Sequence, residues 1–327
     1  MKKLCIIIPT QNRPKEIARY LQEAAQPAFE NHVDIVLYDT SRDDETKSVA
    51  EQHSSHSYTS IIYNRYQGET DRDAIDRKVF SACKEYCGDY DYIWFSSDRT
   101  IVNVEAMLPK LKNFMRDDFD LIVYDNRESF GISYQEYSDS RKLLHDCGWR
   151  MTCLSSVIVS CRFLKACIEK YPPDAGPITS FWLPMTYFRT LADNTEGMLK
   201  AVWFVEKESW HANPCNAEAF WLLSGNVLRQ WGEIWCDAMD SLPQFYDEER
   251  DFVIRSHDRQ MHIFSKKSLL GLRSSGNVTL RKVHENRKYL LRASNTSLLW
   301  FYLIAMLVPQ GVARVMRNVY HGLKNKK

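Results

Sequence analysis

Leu4-Cys5-Ile6-Ile7-Ile8 is an unbroken apolar run closed by Pro9 and Thr10, the pattern of a strand buried on both faces. Gln11 to Pro14 reads as a turn, with Pro14 suited to the first position of a helix. From Glu16 to Ala25 the apolar residues Ile17, Tyr20, Leu21 and Ala24 then recur at helical spacing. A second apolar run, Val33 to Asp39, precedes the polar segment Thr40 to Thr46. Ser60 to Tyr63 predicts a short third strand, Ala74 to Tyr86 a helix, Tyr90 to Phe95 a fourth strand and Leu121 to Tyr124 a fifth. Strands alternating with helices at this spacing predict an α/β fold, a mostly parallel sheet with helices on both faces. Ligands of such sheets bind at the carboxyl ends of the strands. The residues to watch are therefore Pro9 to Arg13, Asp39 to Arg42 and Ser96 to Thr100.

Further along, Leu154 to Phe163 is apolar, Phe181 to Leu191 is helix-like, and Leu199 to Val205 predicts another strand. Trp-rich helical sequence follows from Ala217 to Met239. No Gly/Ser linker or internal repeat interrupts these pieces. The expectation is one catalytic domain over residues 1–250, with a ligand-binding half at 1–125 and a second half at 126–250. A C-terminal appendage then occupies 251–327.

Charge sharpens that boundary. The net +1 of the 327 residues conceals 28 Lys+Arg against 40 Asp+Glu up to Val253, and 15 against 2 from Ile254 onward. A +13 tail implies an anionic partner, membrane surface or nucleic acid. Within it, Ser297 to Val308 is nearly pure apolar sequence, too short for a membrane-spanning helix. After Pro309, Val312, Val315, Met316, Val319, Tyr320 and Leu323 recur at helical spacing, with Arg314, Arg317, His321 and Lys324 elsewhere on the wheel. That is a basic amphipathic helix, suited to the interface of an anionic membrane or to packing on the domain. The tail carries no recognised RNA or DNA motif, so no nucleic-acid partner is expected.

Nine Cys occur without a C-x-x-C pair or zinc spacing, and the apolar stretch after Met1-Lys2-Lys3 is too short for a signal peptide. The expected compartment is cytoplasmic. Aromatic content of 13% suits either core filling or sugar-stacking platforms, with Trp182 and Trp210 the candidates for the second role.

Chemistry concentrates at strand ends. Asp39 closes the second strand, where it can accept from a base or ribose; Asp98 follows the fourth after Ser96-Ser97, where it can reach a divalent cation held between two phosphates. A single strand-terminal Asp more often caps a turn; three strand ends bearing polar groups together point to a ligand. The stretches Ile6-Ile7-Ile8-Pro9-Thr10-Gln11-Asn12-Arg13, Val36-Leu37-Tyr38-Asp39 and Asp91-Tyr92-Ile93-Trp94-Phe95-Ser96-Ser97-Asp98 resemble the family 2 glycosyltransferases over the first third of the chain. The resemblance implies the GT-A fold and an inverting transferase using a nucleotide-diphosphate sugar, UDP being the family's commonest nucleotide. It implies that Pro9, Thr10, Asn12 and Arg13 line the nucleotide pocket, that Asp39 contacts the base, that Asp76 lies near nucleotide or donor sugar, and that Asp98 is the first carboxylate of the metal-binding Asp-x-Asp motif for Mg²⁺ or Mn²⁺.

The chain departs from that pattern twice. Asp98-Arg99-Thr100 replaces Asp-x-Asp, leaving a neutral hydroxyl where a second carboxylate is usual and an Arg99 that can neutralise diphosphate directly. The Glu-Asp pair that supplies a catalytic base in many relatives is missing from Gly176 to Trp182. Asp174, Asp193 and Glu196 are the nearest carboxylates for that role, and His211 is a candidate metal or phosphate ligand. The resemblance further implies a glycan or polyprenyl-diphosphate-linked acceptor, as in surface polysaccharide synthesis, and a protein peripheral on the inner face of the cell membrane. Transfer to a protein or soluble acceptor, or a catalytically weak domain that binds nucleotide-sugar or assists a partner enzyme, are the alternatives.

Overall fold

The computed structural model describes residues 3–54, 60–68, 74–173, 181–193, 199–215 and 225–324. They form two compact units, Met1–Ala217 and Glu218–Lys327.

The first unit is built on an eight-stranded sheet in the order β3-β2-β1-β4-β8-β6-β9-β7. Its strands are β1 (Leu4–Thr10), β2 (Val33–Asp39), β3 (Ile61–Arg65), β4 (Tyr92–Phe95), β6 (Leu121–Asp125), β7 (Tyr134–Tyr137), β8 (Val157–Ser160) and β9 (Ala201–Val205). β1, β2, β3 and β4 run parallel; β8 enters antiparallel between β4 and β6, and β7 closes the edge antiparallel to β9. The sheet is mixed and mostly parallel, as the strand–helix alternation predicts.

The helices are α1 (Pro14–Glu30), α2 (Glu45–Ser54), α3 (Ala74–Tyr86), α4 (Val104–Arg116), α5 (Ser140–Met151), α6 (Cys161–Lys170) and α7 (Trp182–Asp193). Pro14 opens α1, where its missing N–H costs nothing. Ile17, Tyr20, Leu21 and Ala24 of α1 pack with Ile6, Ile8, Ile35 and Leu37 in one core. The part of the segment read as polar from Thr40 to Thr46 that starts at Glu45 belongs to α2. That helix buries only Thr46 and Ala50, so it carries almost no apolar stripe to read. Trp94, Trp149 and Trp203 are fully buried, so core filling takes much of the aromatic content. A separate two-stranded ribbon pairs β5 (Thr100–Val102) with β10 (Trp210–Ala212).

The second unit begins well before the expected boundary at 250. A π-helical turn (Arg229–Ile234) leads into α8 (Trp235–Asp240), followed by α9 (Asp247–Met261), α10 (Lys266–Ser274), α11 (Leu280–Ala293), α12 (Leu298–Leu307) and α13 (Gln310–Lys324). The reason is packing: Val227 and Leu228 share a core with Phe264, Leu269, Val283, Leu290 and Phe301. The Trp-rich helices thus belong with the basic tail, not with the sheet.

Within this unit His257 of α9 stacks on Trp231, ring centroids 4.0 Å apart, and lies 5.6 Å from Trp235. Burial pulls its imidazolium down from 6.5 to about 3. The native state therefore takes up this proton less readily than the unfolded chain, so the associated stability is whole above pH 6.5 and drains away as pH falls towards 3. Going from pH 7 to pH 4 costs about 3 kcal/mol through this group alone. Urea titrations followed by Trp fluorescence at both pH values are expected to show a smaller acid loss in His257→Phe than in wild type. Equal losses would contradict this.

Candidate functional site

Parallel register brings three strand ends into one row. Thr10 pairs with Asp39 across β1 and β2, and Ile7 pairs with Phe95 across β1 and β4, so three residues further on the same register reaches Thr10 and Asp98. The side chains complete the connection. Thr10 Oγ1 donates to Asp98 Oδ2 at 3.0 Å, and Arg13 Nη1 donates to Asp98 Oδ1 at 2.6 Å.

Asp98 sits in a tight turn. The Thr100 N–H donates to the Ser97 carbonyl at 3.1 Å, placing Asp98 and Arg99 at the corners before β5. Asn213, directly after β10 and buried, clamps that turn. Its amide Nδ2 donates to the Asp98 and Glu16 carbonyls at 2.9 Å each, and its backbone N–H donates to the Arg99 carbonyl at 2.9 Å. Burial raises the Asp98 carboxyl above the usual range, opposed by the Arg13 guanidinium and the Thr10 hydroxyl. The carboxylate is thus held by two donors while poorly solvated, a state that a cation or a displaced arginine changes readily.

The loop after β2 locks onto the loop after β1. Asp39 Oδ1 accepts from the Ser41 N–H at 2.9 Å and its hydroxyl at 2.6 Å, Oδ2 accepts from Tyr63 at 3.0 Å, and Ser41 Oγ accepts from the Asn12 N–H at 2.7 Å. Asn12 makes its turn with φ +52°, a conformation that Asn tolerates better than most residues. Asp39 is fully buried. It braces these loops from within.

Lys78, on α3, completes the cluster. Its Nζ donates to the Thr10 carbonyl at 2.9 Å and to Thr40 Oγ1 at 3.0 Å. Burial lowers its ammonium to about 8, against the attraction of Asp39 and Asp98 and with the repulsion of Arg13. Sequence reasoning missed both Lys78 and Asn213. Lys78 had a signal: it falls in phase with Val79, Ala82 and Cys83, a lysine on the buried stripe of its helix. Asn213 had none, since its partners lie far away along the chain.

Other expected residues divide. Pro9 ends β1 beside Thr10, Arg99 is half-buried at the turn, and Asp76 is buried in the first turn of α3. Asp76 lines a cavity of ≈ 80 Å³ with Val79, Phe95, Met151, Thr152 and Leu183. His211 Nε2 lies 2.9 Å from Glu23 Oε2 on α1, and the side chain is half exposed. Asp193 ends α7 in an ion pair with Lys170 at 2.7 Å, and that hydrogen bond with Tyr171's holds its carboxyl below the usual range. A base held ionised by a surface lysine is poorly matched to proton abstraction near neutral pH. Asp174 and Glu196 lie outside the described residues. Trp182 is core, donating to the Tyr171 carbonyl at 3.0 Å, whereas Trp210 is half-buried with Arg150 over its ring at 5.5 Å.

Asp98 supplies one carboxylate and Thr100 one hydroxyl; among the described residues no three His, Cys, Asp or Glu side chains cluster. Mg²⁺ is commonly held by one or two carboxylates completed by substrate phosphates and water. The donor set therefore fits a cation that arrives with a diphosphate, not a preformed cage.

No family model matches the chain, and no curated protein matches it. Solved structures do. The 1–349 fragment of S. aureus TarS superposes with TM-score 0.54 at 13% identity, covering 97% of this chain and 91% of that one. The same fragment in complex with UDP gives 0.53 at 14% identity, with the same coverage. The mannosyltransferase PcManGT of Pyrobaculum calidifontis, with GDP-Man and Mn²⁺, gives 0.51 at 10% identity over 97% of this chain and 84% of that one. At such identities the likeness is one of architecture, and it agrees with the strand-end geometry: this chain has the GT-A glycosyltransferase fold.

Proposed function

We propose that the chain is an inverting glycosyltransferase that moves a sugar from a nucleotide-diphosphate donor, a UDP-sugar in the first instance, to a glycan acceptor carried on lipid. The observation that carries this reading is the convergence of Thr10, Arg13, Asp39, Lys78 and Asp98 at the carboxyl ends of three adjacent strands. Arg13 and Lys78 supply positive charge where a diphosphate leaving group gains negative charge, and Arg99 stands at the turn beside them. Asp98 is the residue that would hold a divalent cation, which supplies Lewis-acid stabilisation of the departing diphosphate. Arg13, ion-paired with Asp98 at 2.6 Å, would be within reach of the phosphate oxygens of a donor bound at this turn. The Asn213 clamp holds the turn that carries Asp98. UDP as the first choice of nucleotide draws support from the TarS fragment's complexes with UDP and UDP-GlcNAc.

A panel of UDP-, GDP- and dTDP-sugars, assayed with Mn²⁺ for donor hydrolysis and for transfer to membrane lipid extracts, tests the reading. Turnover of one donor class is expected. Binding without any turnover would instead favour the non-catalytic, donor-binding alternative. Failure to bind any donor would end both.

A further inference from the structure

The apolar stripe of α13 faces outward. Val312, Val315, Met316 and Val319, at spacings of three, four and seven, are each more than half exposed, while Ala313 is buried and Arg317 lines a groove with Ser268, Gly271 and Leu272 of α10. An amphipathic helix that merely caps a domain does the opposite, turning its apolar stripe to the core. α12 continues the surface. It buries Phe301, Ile304 and Ala305 and exposes Leu299, Met306 and Leu307, the last at 70%. Val308 and Pro309 separate the two helices, which bend by 100°. No single helix among the described residues is long and apolar enough to cross a membrane.

We infer that the α12–α13 elbow is a membrane-docking wedge that seats in one leaflet of an anionic bilayer. Three observations favour lipid over other occupants. Contiguous exposed apolar side chains on two helices are what an interface-embedded element presents. The region from Ile254 onward carries 15 Lys+Arg against 2 Asp+Glu, the sign that anionic headgroups attract. Lys266 Nζ sits 4.1 Å from the Trp300 ring centre, pairing an ammonium with the aromatic residue best suited to headgroup depth. The inference stands on this unit alone and does not depend on the donor reading.

Flotation of the full chain with vesicles tests it. Vesicles of phosphatidylcholine with 30 mol% phosphatidylglycerol, taken as about the level of an anionic leaflet, are to be compared with phosphatidylcholine alone. Partition is expected to be at least about tenfold stronger on the anionic vesicles and to weaken as salt rises. Val315→Asp/Val319→Asp is expected to weaken partition at least about tenfold, two lost apolar side chains being ample for that. Its thermal midpoint and its nucleotide binding should stay at wild-type values, since both positions are solvent-facing. Absence of partition on either vesicle would overturn the proposal. So would a wild-type dimer in solution that the double variant converts to monomer, which would assign the surface to a second copy of the chain.

Discussion

Asp98→Asn is expected to lower transfer by about two to three orders of magnitude, the scale of losing a preorganised charge at a developing anion, while leaving the fold intact. The substitution keeps the shape of the side chain and its contact with Thr10, and it removes the Arg13 ion pair and the only carboxylate at the turn. Stability should move little. Burial already penalises the ionised Asp98 by raising its carboxyl above the usual range, so a neutral amide escapes that penalty. Arg13 is partly exposed, so water takes over its hydrogen bonding. Initial-rate assays and thermal melts of the same preparation check both halves. Wild-type activity in the variant would remove Asp98 from the chemistry; a collapsed melt would make it a structural brace.

Lys78→Met should separate binding from stability in opposite directions. In the ligand-free protein burial lowers the ammonium to about 8 from 10.5. The native state thus holds this proton less tightly than the unfolded chain, and stability rises as pH climbs from 8 to 10.5. At pH 7 the buried charge is a burden of up to about 3 kcal/mol, offset in part by its hydrogen bonds to Thr10 and Thr40, so the variant is expected to melt higher. A diphosphate reverses the sign. It favours the charged lysine, so nucleotide affinity is greatest below pH 8 and falls by up to about tenfold per pH unit above it. Lys78→Met should bind nucleotide about 10- to 100-fold more weakly at pH 7, the range of one charge-assisted interaction, and should lose the decline between pH 7 and 9. Calorimetric titrations with UDP at pH 7, 8 and 9 read this directly. An unchanged affinity at pH 7 would show that Lys78 only supports the loops.

What the sequence made legible follows from which forces act locally. Val33–Asp39 and Ala74–Tyr86 are observed at their expected bounds, because an apolar run and a helical stripe with polar flanks are local signals. The convergence of Pro9 to Arg13, Asp39 and Asp98 could be expected because parallel strands present their carboxyl ends on one edge. The rest depends on contacts distant in sequence. Nothing in Val157–Ser160 states that β8 inserts antiparallel between β4 and β6, and nothing in a lone Asn213 states that it will clamp the Asp98 turn. Nothing local to His211 states that it will pair with Glu23 of α1, a contact set by the register of β10 on β5. The amphipathic tail was legible as a pattern; only its packing shows that small Ala313 and not the valine stripe meets the domain.

Everything proposed for the first unit reduces to one physical claim, that the loops after β1, β2 and β4 form a cradle for a nucleoside diphosphate. Thermal denaturation with UDP, GDP and dTDP, each with and without Mn²⁺, tests it most directly. A ligand at 100 times its Kd adds about 2.7 kcal/mol, so the preferred nucleotide should raise the midpoint by several degrees, more with Mn²⁺ than without, and Asp98→Asn should abolish the Mn²⁺ increment. No shift with any nucleotide, or an identical Mn²⁺ increment in Asp98→Asn, would contradict the account.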